Sequence, residues 1–206
     1  VTTGGALTDS GAITVGSLAK IVSTGQSVTL GDSTSANFVS LDFAGAAVSI
    51  KEGSSMELAA SEATGALSLE ASGAITQSGA IDADSTATFT SGANAITLSH
   101  GSNDFTGAVS LSNSGSNDVA LTDANALDLG TVGVGQNLTI TTSGAISDSG
   151  VVTVAGTTTF DNSGGSSAAI LLDSESTYTG NVSFTTDAGS DVTITDNSAF
   201  AIQSGL

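Results

Sequence analysis

The sequence predicts an all-β protein: one continuous single-stranded parallel β-helix (β-solenoid) made of three units of about 70 residues. Three observations predict it. A nine-residue phrase recurs, as "GALTDSGAI" from Gly5, "GAITQSGAI" from Gly73 and "GAISDSGVV" from Gly144, at a nearly constant interval. Apolar residues alternate with small polar ones in short runs, and no stretch carries them at the i, i+3, i+4, i+7 spacing of a helix.

The units run about 1–72, 73–143 and 144–206, and their parts follow in one order. After the phrase come "SLAKI" ending at Ile21, "STATF" at Phe89 and "GTTTF" at Phe160. Next stand "SVTL", "AITL" and "AILL", ending at Leu30, Leu98 and Leu172. "FTGAVSL" from Phe105 then matches "YTGNVSF" from Tyr178 and, more loosely, "FVSLDF" from Phe38. Each unit closes on "VSIKEGSSMEL" from Val48, "VALTDANALDL" from Val119 or "VTITDNSAFAI" from Val192. Alternation bounded by Gly, Asn, Asp and Ser reads as strands with one buried face. Phe89, Leu98, Leu111, Leu121, Leu129 and Ile140 are expected to point inward.

Strands recur about every eight residues, so roughly nine fit a unit. That suggests about three coils of about 23 residues, each with three strands; about four coils of about 18 residues is the alternative. Stacked at about 4.8 Å, roughly nine coils make a rod of about 40–45 Å, and matching positions of the three units are expected to share one interior row. Units so poor in aromatics bury too little to stand as separate sandwiches. The absence of Pro suits coils that donate ladder hydrogen bonds on both sides. "VTTGG" at Val1 matches "ITTSG" at Ile140, so the chain reads as a segment of a longer array or a subunit with neighbours at its ends.

Composition excludes several functions. The chain has no Cys, two Lys (Lys20 and Lys51), no Arg and 20 acidic residues, for a net charge of −18. Phosphate binding needs clustered cations, so nucleic acid and anionic lipid are excluded as partners. No apolar run approaches the ~20 residues of a membrane helix, so no membrane insertion is expected. A hydrophobic fraction of 39% argues for folding despite the acidity.

The phrases "SGAITQSGAI", "NDFTGAVSL", "DVALTDANALDLG" and "NLTITTSGAISDSGVVTVAGTTTF" resemble the repeats of very large bacterial surface exoproteins of the filamentous haemagglutinin type. The resemblance is strongest from about Gly65 to Ile194. It implies a right-handed β-helix shaft, an extracellular or cell-surface location, adhesion or scaffolding, and export by the two-partner route. It implies no catalytic residue.

Candidate chemistry is sparse. Glycan-cleaving β-helices group carboxylates with a cation or metal; here Asp82 and Asp84 are the closest pair, without an Arg. His100, the single imidazole, stands in the turn "LSHGSND", and a zinc site is not expected. No catalytic, cofactor-binding or metal residue is assigned, and no enzyme is expected. Asp and Asn recur at Asn103–Asp104, Asn117–Asp118, Asp123 with Asn125, Asp161–Asn162, Asp187 with Asp191 and Asp196–Asn197. They read as turn residues, with calcium the one cofactor left open. Like charges are expected to be partly kept apart, Glu52, Asp123 and Asp196 facing one another only across whole units. Thr-x-Thr at Thr86, Thr139, Thr157, Thr177 and Thr193 reads as ordinary β-propensity. The sequons at Asn137 and Asn181 carry little weight in a bacterial-looking chain.

The function expected is a stiff shaft in a surface adhesin, with a self-assembling filament, sheath or surface-layer subunit as the alternative and a polysaccharide-active enzyme behind both. Partners would be further repeats of the same protein, copies end to end, and surface glycans or cell receptors.

Overall fold

The computed structural model describes residues 1–32, 36–165 and 168–203. Among them no helix occurs, and every paired strand is parallel to its neighbours. The chain winds as a β-solenoid of about ten turns. Each coil has three sides, followed here as faces one, two and three in chain order.

Face one is a single row of in-register partners: Met56, Ile75, Ile96, Val119, Leu138, Thr158, Val182 and Ile202. The row climbs from Met56 to Ile202 in seven steps, so a coil takes roughly 21 residues. Face three carries Leu7, Val28, Val48, Leu67, Ala87 and Val109. It continues through Leu111, Val132 and Val152. Face two runs through Glu62, Asp82 and Asp104, then through Ile146, Ile170 and Val192. Its early strands join face one in a 14-stranded sheet, its later ones face three in an 11-stranded sheet.

The core is a set of side-chain columns. Phe89, Leu98, Leu111, Leu121, Leu129 and Ile140 are all buried, as the alternation requires. Size is balanced within a coil: Ala87 stands under Val109 while Phe89, two residues on, fills the column between Leu69 and Leu111. Aromatic rings continue the columns, Phe160 stacking on Phe184 at 5.7 Å and meeting Tyr178 edge-on at 6.2 Å. Burying one such side chain is worth roughly 1.5–3 kcal/mol.

The three sequence units do not share rows, contrary to the expectation. The phrase residue Leu7 lies on face three, its counterpart Ile75 on face one, and Ile146 on face two. From Leu7, three whole coils lead through Val28 and Val48 to Leu67, and the chain turns one more face to reach Ile75. From Ile75, three coils lead to Leu138 and one face more to Ile146. A unit is therefore three and one-third coils, and dividing its length by three overestimates the coil. Val48, Val119 and Val192 obey the same rule, lying on faces three, one and two. The last residues of the third unit, 204–206, lie outside the described residues.

Candidate functional site

Two polar arrangements stand out, one among the apolar columns and one on the surface. The first lies inside, at the corners. Val119, Leu121 and Asp123 occupy alternate positions of one strand, so the carboxylate of Asp123 points inward with the two aliphatic side chains. Its Oδ2 accepts the N–H of Phe105 at 3.1 Å and its Oδ1 that of Asn125 at 2.7 Å. Glu52, after Val48 and Ile50, accepts the N–H of Phe38 at 2.9 Å. Asp196, after Val192 and Ile194, accepts that of Tyr178 at 3.3 Å. One carboxylate per unit thus caps the aromatic-led corner of the preceding coil.

The phrase carries a second cap. Its fifth residue, Asp9, Gln77 or Asp148, accepts the N–H of Gly31, His100 or Asp173, one coil further on. Burial is the main cause that raises the carboxyl pKa values of Glu52, Asp123 and Asp148, with backbone hydrogen bonds pulling the other way. Reading Asp123 and Asp196 as turn residues or calcium ligands missed this role. The signal was present in the alternation, which places each acid on the inward set of its strand.

Most other candidate residues are also held in corner hydrogen bonds. Asn103 is buried, its Oδ1 accepting the N–H of Ile81 at 3.0 Å and its Nδ2 donating to the carbonyls of Leu98 and Thr122. His100 accepts the N–H of Ser102 on Nδ1. Asp118 accepts from the backbone and side chain of Asn137, whose Oδ1 accepts from Thr157. Asp161 accepts from Ser163, and Asn117 donates to the Ser114 carbonyl. Buried Asn162 donates to the Ala168 carbonyl, and Asn197 donates its backbone N–H to Ser176. Asp187 takes part in a turn through its carbonyl, bonded by Ser190, and Asp191 accepts from Ile170 through its own. Of the Thr-x-Thr pairs, Thr139 and Thr141 do stack on Thr159 and Asp161, so that array is broken by an acid after one coil.

The second arrangement lies outside, on face two. Glu62, Asp82 and Asp104 are direct partners on three successive coils, about 4.8 Å apart, with Asp84 two residues beyond Asp82. Like charges are therefore stacked on adjacent coils here, whereas the expected separation was drawn from Glu52, Asp123 and Asp196, whose strands lie on three different faces. Lost solvation first, then repulsion from Asp84, Asp104 and Glu62, raises the carboxyl pKa of Asp82. The nearby recess is lined by Lys20, Asp42, Glu62 and Asp82, and Lys20 is paired with Asp42. Among the described residues, no three His, Cys, Asp or Glu side chains are placed to hold a metal ion.

These features define a class, the parallel β-solenoid repeat protein, in which polar side chains are used mainly to close corners. The family comparison agrees: a model of repeats of unknown function (DUF5649) matches residues 1–41, 45–112 and 116–185, and the chain belongs to that family. The second and third matches are offset from each other by the same interval that separates the phrases at Gly73 and Gly144. Neither curated proteins nor solved structures gave a match.

Proposed function

We propose that this chain is a stiff shaft segment of a large bacterial surface adhesin, extracellular, without catalytic activity, which holds a distal binding element away from the cell. The observation that carries the reading is the unbroken stack of about ten parallel coils over one continuous core. The likeness of its phrases to filamentous haemagglutinin-type repeats supports the location, and glycans or cell receptors are the partners such a shaft would serve. The surroundings of Asp82 support the non-enzymatic reading: among the described residues it stands beside Asp84, Asp104 and Glu62, and the Lys20 of the same recess is already paired with Asp42.

Three measurements test it. Small-angle scattering should give a rod of about 48 Å for one segment, and tandem fusions should lengthen in proportion. Antibody against the segment should label intact source cells; labelling only after permeabilisation would refute the surface location. Replacing His100, Asp82 and Asp84 together by Ala should leave binding by the parent protein unchanged, and loss of a defined turnover would overturn the non-enzymatic reading.

A further inference from the structure

Charge is distributed unevenly around the coil. The acid ladder of Glu62, Asp82 and Asp104 stands on face two. Face three differs over the coils from Thr8 to Ser110. Its first outward position is a hydroxyl in every coil: Thr8, Thr29, Ser49, Ser68, Thr88 and Ser110 are successive partners in register. Each follows a residue of the inward row that leads from Leu7 to Val109, and alternation turns it to solvent.

Two residues on, the next outward position holds Lys51, Glu70, Thr90 and Ser112 on successive coils. Among the described residues of these strands, Lys51 and Glu70 are the charged side chains that face outward, for Glu52 is buried in the core. They pair at 2.7 Å, and each is about half exposed. The strands of this patch therefore turn no net charge outward, on a chain of net charge −18. Asp32 and Asp84 stand in the turns that flank it.

The order of the ion pair gives the patch a symmetry. Lys51 and Glu70 hold the same place in their strands, one coil apart. A two-fold axis along the strands, midway between the two coils, therefore sets each opposite the other. The same axis sets Ser49 opposite Ser68, Thr29 opposite Thr88, and Thr8 opposite Ser110. Contacts between identical chains are most often of this kind, one patch meeting itself about a two-fold axis. The ladder of face two lacks the property, because there acid would meet acid.

We propose that this part of face three is a contact between two copies of the chain, packed face to face with their long axes antiparallel. Each Lys51 lies between its own Glu70 and the Glu70 of the second copy, and the acid ladder of face two stays outside the contact. Coils about 4.8 Å apart and strands of about five residues at about 3.3 Å give a patch of about 29 Å by about 16 Å, or about 900 Å² for both copies. That is below the ~1,200 Å² of stable complexes, so one segment dimerises weakly, with a Kd of about 0.1–1 mM. The contact draws on the fold and goes beyond the adhesin reading, whatever a distal element binds.

Sedimentation in about 0.15 M NaCl, where charges are screened beyond about 8 Å, tests the register. The unmodified 19.7 kDa chain should convert to dimer as its concentration rises to about 1 mM. Lys51→Glu and Glu70→Lys each turn both cross-copy pairs into repulsions and should weaken association at least ten-fold. Mixed in equal amounts, the two variants should dimerise with each other about as well as the unmodified chain, because every cation again faces a carboxylate. The double variant Lys51→Glu/Glu70→Lys should do the same with itself. Circular dichroism melting confirms that all three fold, since loss of an exposed ion pair costs little. Single variants that associate at full strength, or a mixture that stays monomeric, would overturn the proposal. So would an unmodified chain that remains monomeric at about 1 mM, including one that instead binds a neutral polysaccharide such as dextran. Monomers that scatter as rods of about 48 Å would defeat the contact and leave the shaft reading standing; a sphere would defeat both.

Discussion

Removing the carboxylate of Asp123 should destabilise the rod by about 2 kcal/mol. Asp123→Ala leaves the buried N–H of Phe105, now 3.1 Å from Oδ2, without an acceptor. An orphaned buried donor costs about 1–3 kcal/mol. The N–H of Asn125 also loses its 2.7 Å acceptor, but Asn125 is exposed and water replaces it at little cost. Against this, the desolvation that lifts the Asp123 pKa is relieved when the charge goes, which holds the total near the middle of the range. For a chain of this size a loss of about 1 kcal/mol moves Tm by about 2–4 °C, so thermal unfolding followed by circular dichroism should show a fall of about 4–8 °C. Asp123→Asn keeps an oxygen acceptor and should lose less than half as much. A fall below about 1 °C for the Ala variant would refute the capping argument. So would an Asn variant as unstable as Ala, the pattern of a side chain needed for its charge or for a cation.

Other expectations follow from the same geometry. Gly107→Ala should destabilise strongly, since its Cβ would lie 2.5 Å from the Ser85 carbonyl carbon, whereas Gly101→Ala meets nothing within 4 Å and should melt within about 2 °C of wild type; equal melting of the two would refute the close stacking. Glu52, Asp123 and Asp148 have pKa values raised on folding, so the folded state holds their protons more tightly than the unfolded chain. Their contribution is full below the unfolded values, 4.5 for Glu and 3.8 for Asp, and is lost as pH rises through the folded ones. Melting temperature should therefore rise as pH falls from 7 towards these values, and a fall over that range would contradict the burial argument. On the surface, Asp82→Asn should raise Tm most at low salt by interrupting the ladder between Glu62 and Asp104. Millimolar calcium should then be compared with sodium at matched ionic strength: an advantage for calcium that vanishes in Asp82→Asn would assign the ladder to calcium, and no advantage would leave screening as the whole effect.

The strand pattern and inward residues were legible because alternation is a local property: Leu121 and Ile140 are buried for the same reason that they flank threonines. Coil length was not legible, because a unit that closes on a different face has no whole number of coils to divide by. The steps along face one also vary: the step from Met56 to Ile75 is shorter than the step from Thr158 to Val182, as corners absorb extra turn residues. The ladder of Glu62, Asp82 and Asp104 was hidden for the same cause: these acids are neighbours by coil and not by unit. Asp123 was hidden differently. Its residue type suggested solvent, while its position in the alternation pointed inward, and position prevailed because two backbone donors awaited it.

The mismatch between unit and coil links length to aim. Duplicating or deleting one unit in a gene would change the rod by about 16 Å and swing everything beyond the change through about 120° around the long axis. Only a gain or loss of three units alters reach while leaving a distal element pointing in its former direction. Lineages that vary repeat number singly would sample three headings in turn, whereas selection for a fixed heading would leave repeat numbers that differ by threes.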